Sequence, residues 1–240
     1  MQLNLILKNQ KTVLPIAYRY FVQSMIYNAV ETNPGFSRFL HDNGYINEDK
    51  KFKLFTFSPL NGNYSINNKT ITFSDTISLE IRSFEPAIIQ RLIYSLQKGN
   101  KINIGQNILT IDKCTLRNQT IYKPQIDIRT VSPIVAYYTP DNTNRVYFSP
   151  EDINFNQLIV NNAKRKWISA GKNENDFELT FKRIDEIPIR KEVTNYKGSY
   201  ITAWHGGFSL NGNPEVLDFL YNTGLGSKNS QGFGVFDLIK

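Results

Sequence analysis

One order of hydrophobic patterns is written twice along this chain, and that repetition constrains the fold more than any single motif. The apolar run 3–7 reads as an opening strand, and residues 14–32 carry helical spacing, with Ala17, Phe21 and Met25 at i, i+4 and i+8. Asn33 followed by Pro34 is an N-cap with a first-turn proline, which predicts a short second helix over 36–41. Strand chemistry follows at 53–58, 71–73 and 77–82, with a turn at Asn67-Asn68. Ile88, Leu92 and Leu96 place a helix over 84–96 that Gly99 ends, and two short strands close the half at 101–104 and 108–111. Beyond the polar segment 118–125 the order returns. Strand pattern covers 126–138, a helix 151–170 follows Pro150, long strands cover 177–184 and 191–204, a capped helix covers 213–221, and 232–239 reads as a final strand.

This order is that of a split βαβ unit, in which antiparallel strands form a sheet and helices cover it. The chain therefore predicts an α+β fold of two tandem ferredoxin-like (RRM-like) domains, 1–120 and 121–240, each an antiparallel sheet with helices on one face. The halves share this architecture without sequence identity. Hydrophobic residues make up 40% of the 240, enough for a real core in each. Residues 1–120 hold 14 Lys and Arg against 8 Asp and Glu, a net of +6; residues 121–240 hold 14 against 13, a net of +1. A formal charge of +7 points to a polyanionic partner such as nucleic acid. Cys114 is the one cysteine, and His41 and His205 are the two histidines, so a disulfide framework and a Cys/His zinc cluster are excluded. No metal or other cofactor is expected. The opening residues lack the basic leader and long apolar core of a signal peptide, and no run reaches the ~20 apolar residues of a membrane span. A cytoplasmic protein without a membrane partner is the expectation.

The stretch GLGSKNSQGFGV at 224–235 sets Gly224, Gly226, Gly232 and Gly234 around Lys228, Asn229 and Ser230. Such a loop can bring backbone N–H groups close to an anion, with Lys228 adding charge; it can equally be a helix-to-strand connection whose glycines serve turns. It follows a helix and precedes the last strand, so it is not the fingerprint of a dinucleotide fold.

Three residues fit metal-independent RNA cleavage, in which a 2′-OH attacks the adjacent phosphate. His41 suits proton transfer near neutral pH, Lys53 can stabilise charge on the pentacovalent phosphorus, and Tyr27 can orient the 2′-OH or share the proton transfer. Each also has a structural reading: a histidine at a helix C-terminus, a packed tyrosine, and a solvated lysine beside Lys50 and Lys51. Lys164, Arg165 and Lys166 with Trp167 pair phosphate charges with a ring that can stack a base, or form a solvated helix face with a core tryptophan. His205 reads as structural and Cys114 as a core or edge thiol.

IYNAV at 26–30, FLHDNGY at 39–45, KLFTFSPL at 53–60, TVSPIV at 130–135 and the glycine-rich stretch together resemble the CRISPR-associated repeat-processing endoribonuclease family, in its order and over almost the whole chain. The resemblance implies two ferredoxin-like domains and cleavage of CRISPR precursor RNA within each repeat. It implies a 2′,3′-cyclic phosphate and a 5′-OH as product ends. It places His41 at the general acid or base, Tyr27 and Lys53 beside it, with Lys50 or Lys51 as alternatives to Lys53. It assigns the glycine-rich loop, Lys228 and Asn229 above all, to the RNA backbone. The family varies its catalytic residues, so two other readings stay open: a subunit that holds repeat RNA, or a CRISPR ribonucleoprotein, without cutting, and a basic protein-interaction domain. Subunits of an interference complex and a second copy of the chain are further partners to test.

Overall fold

The computed structural model describes residues 1–30, 44–48, 50–140 and 144–239. His41 and the helix expected over 36–41 lie outside the described residues. In the first half β1 (Gln2–Pro15) leads to α1 (Arg19–Val30), the small hairpin β2 (Tyr45–Asn47) and β3 (Lys50–Phe52), then β4 (Phe55–Phe57), β5 (Asn61–Asn67) and β6 (Thr70–Ser83). Helix α2 (Pro86–Lys98) and strands β7 (Lys101–Ile104) and β8 (Asn107–Arg117) complete it. The sheet order is β4-β6-β1-β8-β7, with β5 on β6, and all pairs are antiparallel. Leu3, Leu5 and Leu7 alternate into a core that also takes Val22, Met25 and Ile26 of α1 and Ile88 and Leu92 of α2.

The second half is β9 (Gln125–Thr130), a two-residue-per-strand hairpin β10 (Tyr137–Tyr138) and β11 (Val146–Tyr147), α3 (Ile153–Ser169), and β12 (Leu179–Arg183). A second hairpin, β13 (Arg190–Tyr196) and β14 (Ser199–His205), precedes β15 (Gly207–Gly212), α4 (Pro214–Thr223) and β16 (Phe236–Leu238). Its main sheet runs β12-β15-β9-β16. Taking β4 as the second strand of the first half, both sheets place second, third, first and fourth strands side by side, which is the ferredoxin-like order. The two inserted hairpins sit outside that sheet.

Several elements differ from the sequence expectation. Helix α1 starts at Arg19, because residues through Pro15 stay extended: Gln2 to Lys8 pair with both β6 and β8, and Lys11 to Pro15 with β6 alone. The runs 71–73 and 77–82 are one strand, β6, which continues past Asp75 at φ 57. Polar NGNYSIN hid β5, which pairs with β6. The run 191–204 folds back on itself at Lys197 and Gly198, both at positive φ, and so makes a hairpin instead of one strand. Strand β15 had no expectation. Lys53 precedes β4 instead of opening it, since Leu54 is left-handed at φ 52. Cys114 is exposed on β8, opposite Leu5.

The halves lock through Arg82, which is 1% exposed. Its guanidinium donates to Glu80, to the Phe236 carbonyl at 2.7 Å and to Asp237 at 2.7 Å, and lies 4.0 Å from the centroid of the Tyr221 ring. Phe84 meets Phe219 edge-on across the same seam.

Candidate nucleic-acid interface

The glycine-rich loop rests on both halves at once. After α4, Leu225 donates to the Gly234 carbonyl at 2.8 Å and Gly234 to Pro133 at 3.0 Å, so the loop closes on itself over the TVSPIV segment. Ser132 is fully buried; its hydroxyl accepts from the Val235 N–H at 2.9 Å. From the first half, the Thr56 hydroxyl donates to the Phe233 carbonyl at 3.1 Å. A Cβ on Gly232 (φ +84) would lie 2.5 Å from the Phe57 ring, and one on Gly234 (φ +77) 2.0 Å from the Leu225 carbonyl oxygen. These glycines are therefore demanded by packing and backbone conformation.

The inside of the loop is fastened by residues expected to face RNA. Lys166 is 2% exposed; its Nζ donates at 2.7 Å to the Gly224 carbonyl and at 2.7 Å to Asn229 Oδ1. Asn229 Nδ2 donates in turn to the carbonyls of Leu225 and Phe233. Burial pushes the Lys166 ammonium down to about 7. Lys166 is thus an internal strut, a correction to the expectation that it touches RNA directly, while Asn229 is half-buried, braces the loop through the same network and also lines the cleft. Trp167 is also core: it is 1% exposed and its Nε1 donates to the Asn173 carbonyl, so its ring is not offered to a base. Lys164 and Arg165 lie on the outer side of α3, where they pair with Glu174 and Glu48.

A stripe on α1 holds the other end of the loop. Arg19, Gln23 and Tyr27 lie at i, i+4 and i+8, on one helix face. Arg19 donates to the Gly232 carbonyl, Gln23 Nε2 to the Ser230 carbonyl at 2.7 Å, and Tyr27 shares a side-chain hydrogen bond with Ser230. Burial pushes the Tyr27 phenol up to about 12 against that hydrogen bond, and its ring meets Phe55 edge-on. Arg19 also pairs with Glu192 at 2.7 Å, and Glu192 with His205 at 3.0 Å, so His205 has the structural role read from sequence. Burial opposes ionisation of Glu192, but these two partners outweigh it and hold its carboxyl down to about 2.

Outside the loop lies an open cleft of about 1040 Å³ between the halves. Among the described residues, seven basic ones line it, Lys50, Lys51, Lys53, Lys164, Arg165, Lys166 and Lys228, against two acidic ones, Glu48 and Glu174. Lys53 lies against Gly44, where a glycine Cβ would be 3.2 Å from its Nζ. Ser227 to Gln231 of the loop form another part of the wall, so Lys53 and Ser230 share the cleft and Tyr27 reaches it through Ser230. Lys228 is left-handed at φ 64. Burial, and then the charge of Arg145, push its ammonium down to about 8. Among the described residues no group of three or more His, Cys, Asp or Glu converges as a metal cluster, and no helix is long and apolar enough to cross a membrane. Arg19 and Gln23 were missed in the sequence, although their spacing from Tyr27 was the available signal.

Two ferredoxin-like sheets of one strand order, joined over a basic cleft by a glycine-rich loop, define the class of tandem ferredoxin-like proteins. The family description "CRISPR-associated protein Cas6, N-terminal" matches residues 13–115, and "CRISPR associated protein Cas6, C-terminal" matches residues 116–238. The chain belongs to the Cas6 family. It is 27% identical over 230 residues to the CRISPR-associated endoribonuclease Cas6 1 of Methanocaldococcus jannaschii, covering 93% of this chain and 87% of the relative. It is 25% identical over 233 residues to the CRISPR-associated endoribonuclease Cas6 of Pyrococcus furiosus, covering 95% and 84%. A solved Cas6-related structure from Pyrococcus furiosus superposes with a TM-score of 0.84 at 24% identity, over 100% of this chain and 98% of that one, which shows the shared fold.

Proposed function

We propose that the chain is an endoribonuclease that binds CRISPR repeat sequence in precursor RNA and cleaves it without metal, leaving a 2′,3′-cyclic phosphate and a 5′-OH. The observation that carries this reading is the basic cleft in which Lys53 and Ser230 stand, with Tyr27 bonded to Ser230. Relatives covering most of the chain are named CRISPR-associated endoribonucleases. In this reading residues 1–120 and 121–240 are two domains with the RNA between them.

The reaction needs a base to take the 2′-OH proton and an acid to protonate the departing 5′-oxygen, and His41 performs proton transfer. Lys53 stabilises the pentacovalent phosphorus, with Lys50 and Lys51 on the same wall as alternatives. Tyr27 keeps its proton throughout the neutral range and orients the 2′-OH. The loop meets the RNA backbone through Lys228 and Ser230, while Gly224, Gly226, Gly232, Gly234, Asn229 and Lys166 shape it from within.

Single-turnover cleavage of the cognate repeat RNA in excess EDTA, with product ends mapped, tests the proposal. The expected result is one cut ending in a cyclic phosphate, slowed on the order of 10²- to 10⁴-fold by His41→Ala. Tight, specific binding with no cut by the wild type would instead make the protein a repeat-RNA-holding subunit.

A further inference from the structure

The β10–β11 hairpin presents two tyrosines in different states. The Tyr137 ring is fully committed: Lys228 Nζ lies 5.5 Å from its centroid, the Arg145 guanidinium 5.5 Å, and the Tyr147 ring 5.9 Å. Neither cation has a carboxylate partner among the described residues. They converge on one ring, and the charge of Arg145 disfavours protonation of Lys228. An anion is the ligand that relieves such a pair.

Tyr138 is the next residue on the strand, so its side chain projects from the opposite face. It is 56% exposed, lines the cleft, and has no hydrogen-bond or aromatic partner among the described residues. An exposed ring one residue along the strand from two cations that have no carboxylate partner among the described residues offers stacking and charge on one hairpin, which is the chemistry that holds single-stranded nucleic acid.

We propose that Tyr138, with Lys228 and Arg145 around Tyr137, forms a nucleotide subsite at the rim of the cleft. One unstacked base of single-stranded RNA lies on Tyr138, and an adjacent phosphate meets the two cations. This rests on the cleft being an RNA site, but it assigns a place and a strand state which that reading leaves open.

The test is fluorescence anisotropy of the full chain with two labelled probes, the repeat RNA and a single-stranded RNA of unrelated sequence, over a salt series. Tyr138→Ala is expected to weaken binding of both about tenfold without changing the salt slope, and Tyr138→Trp to restore it, because stacking is sequence-tolerant and worth ~1–3 kcal/mol per base. Arg145→Gln is expected to lower the slope of log K against log salt by about one unit. Replacing nucleotides one at a time by abasic sites identifies the stacked base as the position whose loss no longer matters in Tyr138→Ala. RNA binding with wild-type affinity and an unchanged abasic profile in Tyr138→Ala overturns the subsite while leaving the cleavage reading intact. Tyr138-dependent binding of both probes without repeat-specific cleavage sustains the subsite and removes the cleavage reading. A wild type that binds neither probe removes both.

Discussion

Tyr27 shows how burial selects among the roles open to a side chain. A tyrosine pushed up to about 12 keeps its proton near neutral pH, so in the proposed reaction it orients the 2′-OH and does not act as a base. Tyr27→Phe is expected to slow cleavage roughly 10- to 100-fold, the scale of one lost hydrogen bond of ~1–3 kcal/mol. The pH–rate profile is expected to keep its shape, and a lost inflection in the variant would show that Tyr27 carries the proton after all. From sequence, Tyr27 was a candidate through its IYNAV setting, whereas its partner Ser230 lies 203 positions away and no local pattern links them. His205 was legible because few roles fit a lone histidine at a strand end, but its partner Glu192 was not.

At the scale of elements, α3 and the glycine-rich loop are coupled by one buried lysine. Replacing Lys166 with Met keeps the stem but leaves the Gly224 carbonyl and Asn229 Oδ1 without their donor, a cost of ~1–3 kcal/mol. Hydrogen exchange is expected to speed up across 224–234 in this variant while the β1–β6 ladder keeps its protection. The linkage has a definite sign. Lys166 sits at about 7 in the folded chain against 10.5 for a free lysine, so between these values the unfolded chain holds more protons and stability rises with pH. Lys228, at about 8, adds to the rise over its own narrower window. Denaturant unfolding at pH 7 and pH 10 is expected to show this gain in the wild type and a smaller gain in Lys166→Met; equal gains would place the neutral lysine elsewhere.

At the scale of the whole molecule, the cleft exists only while the halves hold their relative position, and Arg82 is a buried polar tie between them. Arg82→Ala leaves Glu80 and the Phe236 carbonyl without a buried donor. A loss of ~3–5 kcal/mol is expected. Scanning calorimetry should then resolve the halves into separate transitions and RNA affinity should fall; one unsplit transition at the wild-type temperature would show that Phe84 on Phe219 and the Arg19, Gln23 and Thr56 bonds to the loop suffice without Arg82.

The sequence by itself determined the helices, many of the strands and the outline of their doubled order, though not β5 or β15, because helix and strand periods, proline at a helix start and glycine after a helix act over a few residues. Asn213 before Pro214 is such a case: its side chain accepts from the Glu215 N–H as the cap it was read to be. The family's marks were also legible as local strings. Only the tertiary structure decided what their polar atoms do. Lys164, Arg165 and Lys166 are alike in sequence, yet the helix turns the first two outward and buries the third beneath the loop. Likewise the ion pair of Arg19 with Glu192 spans 173 residues, a distance at which side-chain chemistry is fixed by which surfaces meet and not by any neighbour along the chain.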